Sequence, residues 1–159
     1  IEDDFLQIFS PQTAYQMTSI LEGVIQNGTG RKLKDGNDIA ILSFGHPGNF
    51  AASAIRDVSG DGISVAHYDM RFVKPLDDDL ILSFAENHDL LVTIEENTIM
   101  GGAGSAVLES LESKGISNSV LQLGLPDTFI DQGDPVQMLV DCGRDKIGII
   151  KAIRNKLSE

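Results

Sequence analysis

Cysteine is almost missing from this chain of 159 residues: Cys142 stands alone, so no internal disulfide can form and no thiolate metal cluster can assemble. Long apolar runs are missing too; none approaches the roughly 18 to 20 residues that a membrane-spanning helix requires. The opening residues, IEDDFLQIFS, have neither the basic start nor the apolar core of a secretory signal. Together these absences predict a soluble protein of the reducing cytoplasm with no membrane as partner. Basic residues are scarce, 12 against 24 acidic ones, and the net charge of −12 repels the phosphates of nucleic acid before any specific contact forms. The acids are dispersed, which predicts a solvated surface and not an acidic tail.

With 42% hydrophobic residues the chain can build one core of ordinary size. From residue 39 short apolar runs alternate with amphipathic stretches. Strands are predicted at 39–45, 62–72, 89–97 and 119–127, each rich in Ile, Val and Leu. Between them helices are predicted at 47–58, at 75–88 with its proline early and its acids in the first turn, and at 104–115, closed by Gly115. Two further helices are expected in DPVQMLVDCG and DKIGIIKAIRNKL; in the second, Ile149, Ile150, Ile153 and Leu157 share a face. Strands of this kind, each followed by a helix, imply an α/β fold with a mostly parallel sheet covered on both faces. Residues 1–30 read as a separate helical segment, with Ser10 as cap, Pro11 at the first helical position and an apolar stripe through Met17, Ile20, Leu21 and Val24. The following GTGRKLKDGND carries Arg31, Lys32 and Lys34 and suggests an edge strand leading into a hairpin.

Several stretches invite a functional reading. VTIEENTIMGGAGSAV (92–107) brings glycines 101, 102 and 104 to a strand-to-helix junction, where phosphates are often cradled. A dinucleotide fingerprint needs G-x-G-x-x-G directly after the strand; here four residues separate Gly101 from Glu96, Val107 takes the place of the third glycine, and two carboxylates would repel a phosphate. The alternative is a turn in which Gly101, Gly102 and Gly104 allow close backbone approach to the sheet or to a neighbouring subunit. GDG at 60–62 with Asn87 downstream resembles a thiamine-diphosphate motif, but it lies between a helix and the start of a strand, which favours a plain turn. His46, His67 and His88 lack a partner at metal-binding spacing, and no G-x-S-x-G elbow is present. His46, in FGHPGN after a strand, stands where α/β proteins place ligands. Asp77, Asp78 and Asp79 read as the solvated start of a helix.

The stretches YDMRFVKPLDDDLI, LLVTIEENTIMGGAGSAVLESL, LGLPDTFIDQGDPVQML and GIIKAI, in this order, closely resemble the C-terminal domain of 1-deoxy-D-xylulose-5-phosphate synthase. GRKLKDGNDIAILSFG is similar to the start of that domain, so the resemblance runs from about Gly30 to the end. Transketolase and the beta subunits of 2-oxoacid dehydrogenases share a similar skeleton. The resemblance implies a three-layer α/β/α domain, transketolase C-terminal-like, over residues 31–159, with a mostly parallel sheet of about five strands. It implies a dimeric parent enzyme in which thiamine diphosphate and Mg, held by other domains, join two carbons of pyruvate to glyceraldehyde 3-phosphate. It implies no catalytic, cofactor-binding or metal residue in this chain, and as partners the remaining synthase domains or a second copy of the chain. Residues 1–30 depart from that family; FSPQTAYQMTSILEGVIQNGTG resembles a transpeptidase-domain helix of bifunctional penicillin-binding proteins, yet the chain lacks their S-x-x-K, S-x-N and K-T-G.

Asp69 and Arg71 flank Met70 near a strand end and, by period-two alternation, are expected on one face. Arg71 is expected to bond Glu95 or Glu96 on a neighbouring strand, the alternative being a grip on an anionic substrate. Lys74 and Pro75 complete the structural or interface candidates, with Pro75 and Leu76 setting the next helix, and Phe129 and Ile130 are expected to reach an apolar contact. A second functional reading is a stand-alone module binding a small ligand or a protein at the carboxyl ends of the strands, through His46, Asn49 and Arg71.

Overall fold

The computed structural model describes the backbone of residues 31–34 and the whole of residues 38–159; the expected helix in residues 1–30 and the turn at Asp35-Gly36 lie outside the described residues. Five strands, β1 (Arg31–Lys34), β2 (Ile39–Ser43), β3 (Val65–Asp69), β4 (Leu90–Thr98) and β5 (Ser119–Leu125), form one sheet in the order β1-β3-β2-β4-β5. β2, β3, β4 and β5 run parallel, and β1 closes one edge antiparallel to β3, with Arg31 opposite Asp69. The helices are α1 (Gly48–Gly60), α2 (Asp78–Asn87), α3 (Ala103–Ser113), α4 (Pro135–Asp141) and α5 (Lys146–Leu157).

Alternation along the central strands sorts side chains onto the two faces. Ile39, Ile41, Val92 and Ile94 point to the layer containing Ala51, Ala54 and Val58 of α1 and Ile149 and Ile153 of α5. Ala40, Leu42 and Leu91 point to the opposite layer, with Ile81 and Phe84 of α2 and Val107 and Leu111 of α3. This is a three-layer α/β/α domain in which every residue of β2 is buried, the signature of a central parallel strand. α1 and α5 are also tied at their ends: Arg154 holds Asp61 at 2.6 Å and Lys146 holds Asp57 at 2.8 Å. Both pairs are half-exposed and fix position more than they stabilise.

The structure departs from the sequence pattern at several points. β1 does not form a hairpin with β2; it pairs with β3, because the parallel partner of β2 fills that edge. The strand expected over 62–72 is confined to Val65–Asp69, since Arg71 adopts a left-handed conformation (φ 57°) that ends the extended run. Pro75 is not in the first turn of α2; it follows a cis Lys74–Pro75 peptide, and α2 begins three residues later behind the Asp77 cap, which accepts from Leu80 N at 3.1 Å. The acidic run is therefore more than solvated surface: Asp78 accepts from Ser110 Oγ of α3 at 2.7 Å. Leu157, in the last turn of α5, is exposed while its three isoleucine companions are buried. Phe129 is fully exposed; only Ile130 reaches an apolar wall.

Ile153 is fully buried between α5 and the sheet. Ile153→Ala is expected to lower stability by about 2–5 kcal/mol, seen as a lower urea midpoint with an unchanged slope.

Candidate functional site

Leu91, Thr93 and Glu95 alternate along β4 toward the face that α3 covers. An aliphatic residue, a hydroxyl and a carboxylate thus follow one another toward the first turn of that helix. Between the pairs Ile94↔Leu123 and Thr98↔Leu125 the register shifts, so that Glu95, Glu96 and Asn97 face Gly124 alone. A bulge of this kind re-aims the side chains at a strand end. Here Glu95, only 2% exposed, is turned under α3, where its two oxygens accept from Ala103 N at 2.7 Å and Gly104 N at 2.8 Å. The helix N-terminus concentrates unpaired N–H groups and partial positive charge, so a carboxylate is the natural complement there.

That geometry explains the glycines. A Cβ on Gly102 would collide with the Glu95 carboxylate and the Thr98 carbonyl, and one on Gly104 would press against Thr93 Oγ1 and, at 2.8 Å, Gln122 Nε2. Gly101 turns the chain with φ 71°. The junction with the right shape for a phosphate is filled by the protein's own carboxylate. The other glycine turn, 60–62, is the C-terminal turn of α1 with Gly62 at φ 84°, and its Asp61 is taken by Arg154. At the first turn Glu95 already occupies the amides of Ala103 and Gly104, and at the second Asp61 is already paired with Arg154.

Arg71 does not reach Glu95 or Glu96. β2 lies between β3 and β4, so the two chain ends are two strand spacings apart, about 9–10 Å. Its carboxylate partner is Asp69, at 3.8 Å, and both side chains are substantially exposed. Lys74 is exposed and Pro75 half-buried. Sequence reasoning passed over a buried pair beside this strand end: His67 Nε2 lies 3.0 Å from Ser43 Oγ, each residue 1% exposed. Burial pushes the His67 imidazole below its ordinary value, the Asp69 carboxylate opposing part of that shift. Sealed from solvent, the pair crosslinks β2 and β3 and has no route to a substrate.

An open cleft of about 530 Å³ lies at the carboxyl ends of β2, β4 and β5. Here the sheet changes direction: the chain leaves β2 over one face to reach β3 on one side, and leaves β4 over the other face to reach β5 on the opposite side. Such switch points are where open α/β sheets bind ligands. His46 and Glu96 line the cleft, 4.0 Å apart, with Glu95 beside them. Asn49 and Arg71, named with His46 in the ligand reading, do not line it. Arg144, which was not among the residues singled out by the sequence, does. Its Nε and Nη1 are shielded from solvent without a hydrogen-bond partner among the described residues, and burial lowers its pKa, Cys142 opposing.

Glu95→Ala is expected to destabilise the protein by roughly 2–4 kcal/mol, since two buried N–H groups lose their acceptors, and Gly102→Ala by roughly 1–3 kcal/mol through overpacking; chemical denaturation of both variants checks the pair. Because the folded-state pKa of His67 is depressed, the unfolded chain takes up its proton first. Stability from this residue is therefore complete above about pH 6.5 and falls as the pH drops from there toward the folded-state value. Unfolding midpoints between about pH 7.5 and about pH 5 should fall in the parent and fall less in His67→Gln.

Comparison with known proteins agrees with this architecture. The family model described as transketolase, C-terminal domain, matches residues 28–149. A 1-deoxy-D-xylulose-5-phosphate synthase of Nitrosospira multiformis is 58% identical over 127 residues, 80% of this chain and 20% of that protein. The synthase of Bacteroides fragilis is 47% identical over 132 residues, again 20% of its length, so the chain spans about a fifth of the curated relatives it matches. Among solved structures, a split-gene transketolase, an inactive beta4 tetramer, superposes with a TM-score of 0.75 at 31% identity, covering 81% of this chain and 42% of that one. A 2-oxoglutarate:ferredoxin oxidoreductase of Magnetococcus marinus, at TM-score 0.56 and 10% identity over 93% of this chain and 24% of that one, shares the fold alone. The chain belongs to the transketolase C-terminal domain family.

Proposed function

We propose that this chain is the C-terminal domain of a 1-deoxy-D-xylulose-5-phosphate synthase, a cytoplasmic enzyme that condenses pyruvate with glyceraldehyde 3-phosphate and releases carbon dioxide. Its part is to pack against the remaining synthase domains or a second copy of itself, with no active site of its own. The observation that carries the reading is the Glu95 carboxylate seated on the N-terminus of α3. The glycine-rich junction is thereby committed to holding a helix against a sheet, and it cannot also receive a diphosphate. Thiamine diphosphate and its magnesium ion are accordingly assigned to the rest of the parent enzyme, where the cofactor supplies the carbanion chemistry.

A supporting role needs a surface to support with. Apolar side chains stand exposed after β5: Phe129 fully, Val136 at 69% and Ile147 at 72%. These are the side chains to which we assign that contact.

Mixing the chain with the first two domains of a synthase tests the reading. Association and recovered turnover of pyruvate and glyceraldehyde 3-phosphate are expected only in the mixture. Turnover by the chain alone would overturn the absence of an active site, and failure to associate would overturn the packing role. Val136→Asp with Ile147→Asp should weaken association at least tenfold, about 1.4 kcal/mol, while each moves the stability of the isolated chain by no more than about 0.5 kcal/mol.

A further inference from the structure

We propose that the cleft at the carboxyl ends of β2, β4 and β5 is a binding site for a small amphiphilic anion: an apolar body ending in one carboxylate or phosphate group, which Arg144 receives.

Arg144 supplies the first observation. Two of its guanidinium nitrogens are out of contact with solvent and have no hydrogen-bond partner among the described residues. Among the described residues it makes no ion pair, although Glu95 and Glu96 line the same cleft. Burial lowers its pKa without taking an arginine out of its charged form at neutral pH. A partly buried guanidinium that has no carboxylate paired to it among the described residues lacks a counter-charge, and an anionic head in the cleft that Arg144 lines supplies one.

The second observation is α4. Pro135, Met138, Leu139 and Cys142 recur at helical spacing and all line the cleft, yet no residue of α4 is buried. A helix normally packs such a stripe against a core. Here it faces open space, walled on the other side by Pro47 and Leu125. The volume, about 530 Å³, lies within the range of small-molecule sites.

Charge limits the choice of ligand. Glu95 is held by the α3 amides, and Glu96, with only His46 beside it at 4.0 Å, brings a further carboxylate to the wall. Together with the net charge of −12 they oppose a second negative group, which counts against diphosphates and nucleotides. One anionic head and an apolar tail match the single cation and the aliphatic stripe. This inference does not depend on the role proposed above, because the cleft-lining face of α4 is separate from exposed Val136.

Titration of the intact chain with hexanoate, hexyl phosphate and hexan-1-ol, followed by nuclear magnetic resonance, tests it. Both anions are expected to saturate, to shift the methyl signals of Met138, Leu139 and Leu125, and to shift the Nε–H signal of Arg144. Hexan-1-ol should bind at least tenfold more weakly. The tighter of the two anions identifies the head group. In Arg144→Met the preference for anion over alcohol should vanish, a comparison made within one variant and so independent of its stability. If that variant does not fold, Arg144→Lys, which keeps the charge but loses the planar fork, should retain a reduced preference. Equal binding of hexanoate and hexan-1-ol by the parent chain, unsaturable binding, or an undiminished preference in Arg144→Met or Arg144→Lys would overturn the proposal.

Discussion

The carboxylate of Glu95 on the first amides of α3 is the contact on which the site end of this domain depends. It joins a strand end to a helix start across the bulge at residues 95–97 and fixes where the helix begins. The small size of Gly102, Gly104 and Gly124 follows from it, since each lies against Glu95 or against the strand it ends. A buried carboxylate needs strong partners, and two backbone amides at a helix N-terminus provide them without a second charged side chain. The same contact closes the position to any external phosphate.

With that junction closed, the open space shifts sideways, to the crevice between the end of β2 and the end of β5. The strand order makes such a crevice unavoidable, because the helices that follow the neighbouring strands β2 and β4, α1 and α3, cover opposite faces of the sheet. What differs from one member of a fold to another is the lining. Here it combines apolar side chains of α4 with Arg144, Glu95 and Glu96.

The parallel sheet and its covering helices were legible because buried parallel strands are near-continuous runs of Ile, Val and Leu, and IAILS and LLVTI are such runs. Strand order was not legible. The expected bond from Arg71 to Glu95 or Glu96 takes β3 and β4 as neighbours, whereas β2 is inserted between them. Glu95 and Glu96 look equivalent in the sequence, yet alternation from Leu91 through Thr93 places Glu95 under α3 and leaves Glu96 in solvent. That signal was available from spacing alone. The Ser43–His67 pair had no such signal, because it joins residues from two strands separated in the chain by a helix.

α4 is seven residues long, capped by Asp134 on the amides of Val136 and Gln137, and buries none of its side chains. Its folded form is therefore secured by local hydrogen bonds and little apolar packing, which places it among the first segments to open while the sheet stays intact. Any occupant of the space beneath it contributes the missing packing. Order in α4 and occupancy of the cleft are then a single equilibrium, in which filling one raises the population of the other.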